Sequence, residues 1–473
     1  MVHRLLARVR AFGEPSVPIP LLALTVAAML ATHLKRDVHD VDIFWQLKLG
    51  EISLAHGLPR YEPFLAGREN EPLAVVAWLG QAVFALVRQL GGWPLLRLFD
   101  AVVWLGGFVV VAWHCRRRHG NDVPVSLGLW VGWFAAVPFA SIRPQTFAVI
   151  MFGLLVVLAR RNFRAKWGVP LGALLLVLWQ NLHPSAVVAV AYLGTAAVAE
   201  WVNFYVRRGE RPTLTRALLV PLAALATLAT PAGLDVYRIS ALNAERSLEL
   251  GITEWLPLWT QFPEVGRGYA FPMFLATAAL VLWRGRRVPV ADLVPMLVLM
   301  AMTVVAFRFV LFWGIAVIPV WVAALAEPDV PAPPNPWRKR LAVVFLIGSL
   351  APLFLWRNNF HAYFPFDGIA ALKRQNVRGA IYSNYFAAGL LTDYGYPDWH
   401  PTHDGRYYLI SRDELKRYQA AQRGEVPVAE LVAKYDPVAF FIRPGDDEGL
   451  IALLPAAGWR EVYRGEQCVV FVK

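Results

Sequence analysis

The chain has 473 residues, of which 57% are hydrophobic and only 17% are charged, and its mean hydropathy is +0.45. Soluble proteins are rarely this apolar, so the composition predicts a protein embedded in a membrane. The net charge of +12 does not indicate a nucleic-acid partner, because the basic residues fall in short segments between apolar runs rather than in one patch.

Apolar runs that could cross a bilayer recur from the N-terminus to about residue 356. A helix needs about 20 apolar residues to span the hydrocarbon, with roughly 17–25 tolerated. The first run follows a basic start and resembles a signal peptide without a clear cleavage site, so we interpret it as a retained anchor. The sequence predicts about eleven transmembrane helices, near residues 18–35, 94–114, 124–140, 145–159, 169–182, 185–205, 214–230, 269–283, 290–306, 309–325 and 341–356.

The connections between these runs are of two kinds. One kind carries polar motifs around Asp40, Arg143, Asn181, Thr230 and Glu254. The other kind is basic, and Lys and Arg accumulate on the cytoplasmic side of membrane proteins. This alternation predicts a cytoplasmic N-terminus and gathers the polar motifs on the outer face, where they can form one site. The basic clusters lie within residues 4–10, 116–118, 160–166, 207–208, 284–287 and 338–340.

Residues 73–90 are apolar enough to span, but a span there would move five later basic clusters to the outside. We therefore predict a surface or re-entrant helix, inside a first outer loop of residues 36–93. A second outer loop covers residues 231–268. In the first loop, Asp42–His56 is predicted to form a short interfacial helix. Asp42, Gln46, Gly50 and Ser53 share a small, polar stripe of that helix, which could face a cavity.

The composition changes after the last apolar run. Residues 1–357 make the predicted membrane domain, whereas residues 358–473 are polar and alternate short β-like runs with helical ones. This pattern predicts a small soluble α/β domain on the outer side, which we expect to be accessory and to cover the mouth of the membrane site. Within it, residues 398–406 read as a turn, with acceptor binding as the functional alternative. Cys115 and Cys468 fall on opposite sides of the membrane in this topology, so no disulfide is expected.

Two carboxylates, Asp40 and Asp42, follow the first span at the predicted outer interface. Such a pair can bind a divalent cation, or one carboxylate can act as a general base while the other tunes it. The simpler interpretation is capping, since Asp favours helix N-caps and first turns. The sequence leaves both open.

Other outer side chains could bind an anion or a sugar. An arginine at membrane depth costs roughly 2.5–3.5 kcal/mol unless it snorkels or is paired, so Arg143 and Arg308 could each hold a phosphate. Alternatively, Arg143 snorkels to the interface and Trp255 is an interfacial anchor. For the segment around Asn181, the alternative is a cap at the end of a helix. The remaining candidates for substrate contacts are Gln145, Asn181, His183, Glu254 and Trp255.

These outer motifs resemble those of bacterial multi-span proteins of the GT-C glycosyltransferase superfamily. The usual opening of that group is D-x-D-x-W-W-H-L-x-x-G followed by P-x-x-D-P-F. Here Phe44, Gln46 and Glu62 stand in place of its Trp, His and second-motif Asp, and Pro184 stands where Gly is commoner. The matching segments, in chain order, are Asp40-Val-Asp42-Ile-Phe-Trp45-Gln-Leu47-Lys-Leu-Gly50, Pro59-Arg60-Tyr-Glu-Pro63-Phe, Arg143-Pro144-Gln145, Asn181-Leu182-His183, Thr230-Pro231-x-Gly233, Glu254-Trp255 and His403-Asp404-Gly405-Arg406.

The resemblance implies a GT-C fold and an enzyme that takes sugars from polyprenyl-phosphate carriers on the outer side of the membrane. It also implies an acidic catalytic residue in the first outer loop. We therefore expect an inverting glycosyl transfer in a bacterial plasma membrane, in which Asp42 deprotonates an acceptor hydroxyl. Asp40 would orient that acceptor or bind a metal ion.

The other candidates receive roles from the same resemblance. Arg143 and Arg308 would stabilise the departing lipid phosphate. Gln145, Asn181, His183, Glu254 and Trp255 would hold the sugar or the acceptor, which is a glycan, a lipid or a protein. No cofactor is required beyond a possible divalent cation. The alternative is a non-enzymatic protein with the same fold, either a lipid-glycan transporter or an assembly subunit.

Overall fold

The computed structural model describes residues 20–119, 121–161, 165–207, 209, 211–261, 270–326, 336–355 and 360–473. They form two compact units, each assembled from separate stretches of the chain. The helical unit falls within Met1–Arg36, Gly91–Gly233 and Gly251–Asn358. The α/β unit falls within Asp37–Leu90, Leu234–Leu250 and Asn359–Lys473.

Helices occupy the apolar runs of the helical unit, and each of the predicted spans overlaps at least one of them. They are α1 (Leu21–Lys35), the second part of α3 (Trp78–His119), α4 (Asp122–Ala136), α5 (Gln145–Arg160), α6 (Ala165–Leu182), α7 (Val187–Arg207), α8 (Leu214–Ala226), α10 (Ala270–Arg284), α11 (Val290–Val305), α12 (Val310–Leu325), α13 (Pro336–Gly348) and α14 (Ala351–Leu355).

Four helical segments of the described chain are long and apolar enough to cross a membrane: Trp78–His119, Asp122–Phe139, Val187–Arg207 and Phe307–Leu325. Four further apolar helices are shorter, with 10–17 residues each. The chain is therefore an α-helical membrane protein, as the composition predicts. The number of eleven crossings stays a prediction.

The core of the helical unit is built around α12, whose side chains are almost all buried. Gly132 of α4 and Gly314 of α12 lie so close that a methyl group on either would overlap the backbone of the other. Small residues let membrane helices approach in this way, which increases van der Waals contact where lipid leaves little hydrophobic driving force between helices. Phe312 and Trp313 extend the same core with ring contacts to Phe152 and Phe274.

Helix α3 changes direction at two glycines. Gly91 and Gly92 have non-helical backbone angles, and Gly92 has a φ of 62°, which favours glycine. The part before them belongs to the α/β unit, where it packs on α2 (Asp42–His56). There Gly50 faces the backbone carbonyl of Gln81 so closely that a Cβ would overlap it. The prediction that this stripe faces a cavity is therefore wrong at Gly50, because the small residue serves helix packing. That residues 73–90 do not cross the membrane stays a prediction.

The α/β unit contains a five-stranded sheet in the order β2-β1-β3-β5-β4. Strand β1 is parallel to β2 and β3, while β5 runs antiparallel to β3 and β4. The strands are β1 (Gly379–Ser383), β2 (Trp399–Pro401), β3 (Ala439–Ile442), β4 (Arg460–Arg464) and β5 (Val469–Val472). The helices are α2, the first part of α3, α9 (Asp235–Glu249), α15 (Phe366–Arg374), α16 (Tyr385–Gly395), α17 (Arg412–Gln422), α18 (Val428–Tyr435) and α19 (Glu448–Leu453).

The sequence predicts the mixed α/β character of this unit, and its β-like runs at residues 380–383, 438–442 and 468–472 overlap β1, β3 and β5. It misreads residues 399–401 as part of a turn. That segment is β2, which pairs with β1 in the register Gly379↔Trp399. Three residues are too few for an alternating pattern, and Pro397 and Pro401 are turn signals in a sequence. Pairing with a neighbouring strand, which sequence spacing does not reveal, makes the segment a strand.

Candidate functional site

Three charged side chains of the helical unit meet in what we call the Glu254 cluster, made of Arg143, Glu254 and Arg308. Arg143 Nη2 donates to Glu254 Oε2 at 2.7 Å, and Arg308 Nη1 lies 3.9 Å from Glu254 Oε1. The Arg308 guanidinium also lies over the indole of Trp255, 3.8 Å from the ring centroid, which is a cation–π geometry. Residues that lie far apart in the chain thus come together, as the shared sidedness of their motifs predicts.

Short backbone elements hold these side chains in place. Glu254 and Trp255 belong to the 3-10 turn Thr253–Trp255, and Arg308 belongs to the 3-10 turn Phe307–Phe309. The backbone N–H of Phe307 donates to the carbonyl of Leu256 at 3.0 Å, which joins the two turns directly. Arg143 immediately precedes Pro144, the N-cap of α5. The cluster therefore rests on helix termini and turns, where side chains can project away from the packed helices.

The two arginines keep Glu254 ionised. Burial alone would raise the pKa of Glu254, but the guanidiniums of Arg143 and Arg308 outweigh it and hold that pKa at about 2. Within the cluster, two guanidiniums thus face one carboxylate. The side chains of Arg143, Glu254 and Arg308 remain 19%, 20% and 21% exposed. Partly exposed guanidiniums can accept an anion.

His183 adds a neutral hydrogen-bond donor near these charges. Burial, Arg308 and Arg143 lower its pKa to about 3, so the imidazole is uncharged at neutral pH. Its Nδ1 lies 2.8 Å from Ser185 Oγ, and that hydroxyl already accepts from the indole N–H of Trp179 at 3.0 Å. The hydroxyl can then donate to Nδ1, which places the imidazole proton on Nε2.

Of the two remaining substrate candidates, Asn181 has structural contacts and Gln145 is buried. The amide nitrogen of Asn181 donates to the carbonyls of Val177 and Ala229, at 2.9 and 2.6 Å, and so ties the end of α6 to the segment after α8. Gln145 is buried at the first position of α5. Their assignment to substrate binding stays a prediction.

Asp40 and Asp42 lie in the α/β unit, at the start of α2. Asp40 Oδ1 accepts from the backbone N–H of Asp42 at 2.9 Å, which is the capping contact that the simpler interpretation predicts. Asp42 Oδ1 accepts from the indole N–H of Trp45 at 3.0 Å. Its carboxylate also lies directly against Gly405. Both acids remain partly exposed.

Glu62, Asp404 and Arg406 form a second charged group, the Arg406 cluster. Two guanidinium nitrogens of Arg406 donate to the two carboxylate oxygens of Glu62, both at 2.6 Å, and Nε and Nη2 donate to Asp404 Oδ2 at 2.8 and 2.6 Å. The side chains are at most 1% exposed. Burial alone would lower the pKa of Arg406, but Asp404 and Glu62 raise it well above its ordinary value. The arginine therefore stays charged at every physiological pH.

The family motifs include all three residues of this second cluster, but sequence reasoning does not predict that Glu62, Asp404 and Arg406 contact one another. In the sequence, Glu62 is a departure from the family pattern, whereas in the structure its carboxylate pairs with Arg406. The two opposite charges in Asp404-Gly-Arg406 were the one sign in the sequence that this segment forms ion pairs. Among the residues that the structure describes, no group of three or more His, Cys, Asp or Glu is arranged to hold a metal ion.

Comparison with known structures gives the fold. No protein-family model and no curated protein matches the sequence. The crystal structure of ArnT from Cupriavidus metallidurans bound to undecaprenyl phosphate is similar over 95% of this chain and 97% of that chain, with a TM-score of 0.54 at 13% identity. The apo state of that protein gives a TM-score of 0.55 at 12% identity, over 94% and 95% of the two chains. The apo oligosaccharyltransferase of Archaeoglobus fulgidus is similar at a TM-score of only 0.45 and 11% identity, over 89% and 69%.

The chain is thus a membrane protein with a GT-C-like fold, which confirms the fold that its motifs predict. The similarity to ArnT extends over nearly the whole of both chains, so it includes the helical and the α/β units alike. At such low identity it concerns the fold, and the chemistry has to be argued from the side chains.

Proposed function

We propose that this protein transfers a glycosyl group from a polyprenyl-phosphate-linked donor to an acceptor at the outer face of a bacterial plasma membrane. Undecaprenyl phosphate, the ligand named for the ArnT structure, is a carrier of this chemical class. In the proposed topology the N-terminus is cytoplasmic, and residues 358–473 form a periplasmic domain. External labelling of an exposed cysteine tests this arrangement: Ser411→Cys should react in intact cells, and Arg117→Cys should react only after permeabilisation.

The Glu254 cluster is the observation that carries this proposal. When the bond between sugar and lipid phosphate breaks, negative charge grows on the phosphate oxygens. A preorganised cation near those oxygens is therefore worth more in the transition state than in the ground state, and it accelerates the transfer. Arg143 and Arg308 supply such cations, and Glu254 holds both guanidiniums in position before a ligand arrives.

The neighbours of the cluster suit the rest of a lipid-linked sugar. Trp255 presents an aromatic face, and aromatic side chains with polar ends pack on amphipathic groups such as sugar rings. His183 offers a neutral Nε2–H donor for a sugar hydroxyl. Because the imidazole is uncharged, no charge on this side chain is desolvated when the hydroxyl replaces water. Gln145 and Asn181 complete the proposed contacts to sugar or acceptor.

Asp42 is the proposed general base. It removes the proton of the acceptor hydroxyl as that oxygen attacks the anomeric carbon, and the lipid phosphate leaves with the electron pair of the broken bond. One displacement of this kind inverts the anomeric configuration. Asp40 orients the start of α2 through the backbone N–H of Asp42. If a divalent cation takes part, Asp40 and Asp42 are its proposed ligands.

One observation favours the alternative of a non-enzymatic lipid-glycan transporter or assembly subunit. The Asp42 carboxylate already accepts from Trp45 and lies on Gly405, so it has structural contacts before any acceptor is present. An enzyme and a binding protein would share the Glu254 cluster, because both must hold a lipid phosphate. They differ in whether Asp42 is needed for turnover or only for folding.

Transfer by purified protein from a polyprenyl-phosphate sugar tests the proposal through Asp42→Asn. Loss of a general base typically lowers the rate by about 10²–10⁴-fold. Asp37→Asn is the matched control, since Asp37 is exposed in the same segment and should leave the rate unchanged. Asp40→Asn keeps the oxygen that accepts from Asp42 N–H, so a small effect indicates capping and a large one indicates a metal ligand. A folded Asp42→Asn protein with the wild-type rate would rule out Asp42 as the general base, and absence of transfer by the wild-type protein would favour the non-enzymatic alternative.

A further inference from the structure

We infer that the segment His403-Asp404-Gly405-Arg406 positions the Asp42 carboxylate for catalysis. Gly405 packs directly against that carboxylate, and the hydrogen bonds of Arg406 hold the backbone of Gly405 in place. This inference rests on the proposed function. It changes the role expected of the C-terminal domain, which the sequence predicts to be accessory. All the residues concerned lie in the α/β unit, so the contacts belong to one compact body.

The contact between Asp42 and Gly405 leaves no room for a side chain. A Cβ built on Gly405 would overlap Asp42 Oδ1, and it would also crowd the carboxylate carbon. The φ of Gly405 does not fall in the left-handed region, so the backbone there is one that any residue can adopt. Glycine is therefore required at this position by the space that the Asp42 carboxylate occupies.

Arg406, the next residue, fixes the position of the Gly405 backbone. Its guanidinium donates four hydrogen bonds to Glu62 and Asp404, and its own backbone N–H donates to Asp404 Oδ1 at 2.8 Å. Glu62 Oε1 additionally accepts from the backbone N–H groups of Phe64 and Leu65. Every carboxylate in this network is bound more than once, so the backbone of residues 404–406 cannot shift without breaking buried charged contacts.

Trp45 gives a second connection between the same network and Asp42. The Arg406 guanidinium lies 5.3 Å from the centroid of the Trp45 ring, and the indole N–H donates to Asp42 Oδ1. The Asp42 carboxylate is thus contacted by the Trp45 indole and by the Gly405 backbone. Arg406 contacts the first of these groups and follows the second directly in the chain.

Gly405→Ala is the direct test, because it changes only the surface against which the Asp42 carboxylate packs. The added methyl group must displace the carboxylate, and a misplacement of about 1 Å can lower a rate by roughly 10²-fold. We expect kcat for transfer to fall by about that factor, with KM for the lipid-linked donor and the apparent melting temperature close to wild type. Gly348→Ala is the control, since nothing lies within 4 Å of its added Cβ.

A combination with Asp42→Asn separates positioning from general damage. If Gly405 acts through Asp42, Gly405→Ala lowers the rate of the wild-type protein but not the residual rate of the Asp42→Asn protein. Arg406→Lys, which keeps the charge but loses the fork, should lower kcat in the same Asp42-dependent way. Equal losses in both backgrounds, or a wild-type kcat for Gly405→Ala, would overturn the positioning role while leaving the proposed function intact. Absence of transfer by the wild-type protein would overturn both.

Discussion

The two charged clusters of this protein are opposite in composition and in surroundings. The Arg406 cluster places one guanidinium between two carboxylates, with side chains at most 1% exposed. The Glu254 cluster places one carboxylate between two guanidiniums, with side chains about one-fifth exposed. The first cluster is sealed from solvent, and the second is within reach of a ligand.

This difference separates holding a structure from binding a substrate. A sealed cluster with every oxygen hydrogen-bonded has no capacity left for a ligand, so its contribution is geometry. A partly exposed cluster with two guanidiniums can gain further binding energy when an anion arrives. The same residue types therefore serve two purposes, and the count of charges together with exposure distinguishes them.

The largest effect is expected from Arg406→Leu. Removing the guanidinium leaves Glu62 and Asp404 buried without a counter-charge, and breaking a buried ion pair from one side typically costs about 3–5 kcal/mol. The variant should show a strongly lowered apparent melting temperature in detergent. Arg423→Leu is the matched control, because its pair with Glu425 is exposed and such pairs contribute about 0–1 kcal/mol. Equal stability of the two variants would contradict a structural role for the Arg406 cluster.

A smaller, functional effect is expected from Arg308→Ala. Loss of a charge-assisted contact to the lipid phosphate removes about 1.5–3 kcal/mol of binding, which is roughly 10–150-fold in affinity for a polyprenyl-phosphate analogue. Arg308→Lys should fall between Ala and wild type, since it keeps the charge but loses the planar fork. Arg287→Ala, at an exposed position of the same unit, is the control. Wild-type affinity in both Arg308 variants would make this arginine structural.

The smallest effect concerns the response of Glu254 to acid. Its pKa is depressed from the ordinary 4.5 to about 2, so the carboxylate contributes stability above pH 4.5 and loses it as the pH falls towards 2. Because the cluster is partly exposed, we expect about 1 kcal/mol. The wild-type protein should have a higher melting temperature than Glu254→Gln at pH 6, and this difference should shrink as the pH falls from 4.5 to 2. A difference that is as large at pH 2 as at pH 6 would show that the Arg143 contact does not depend on the ionised carboxylate.

Much of the fold follows from local sequence. Apolar runs predict the helices of the membrane unit, and Asp42–His56 forms the helix expected from its own residues. Strand β2 is different, because three residues between prolines show no period and become a strand only through pairing with β1. Local patterns therefore predict elements that are long enough to repeat.

The candidate site divides in the same way. The sidedness of loops predicts that Arg143, Glu254 and Arg308 share one face, and they do lie together. The sequence does not reveal that Glu254 pairs with both arginines. Nor does it reveal that Glu62 pairs with Arg406, because such partners are far apart in the chain and are joined only by tertiary packing. Gly405 is the hardest case, since glycine leaves no chemical signal of the carboxylate that needs its space.

Mass spectrometry of lipid-linked glycans in a strain that lacks this protein tests the central claim most directly. We predict that the deletion accumulates a polyprenyl-phosphate sugar and loses the glycosylated acceptor. Wild-type protein should restore both, whereas Asp42→Asn, produced at the same level, should restore neither. Restoration by Asp42→Asn, or lipid-linked glycans unchanged by the deletion, would contradict a glycosyl transfer that depends on Asp42.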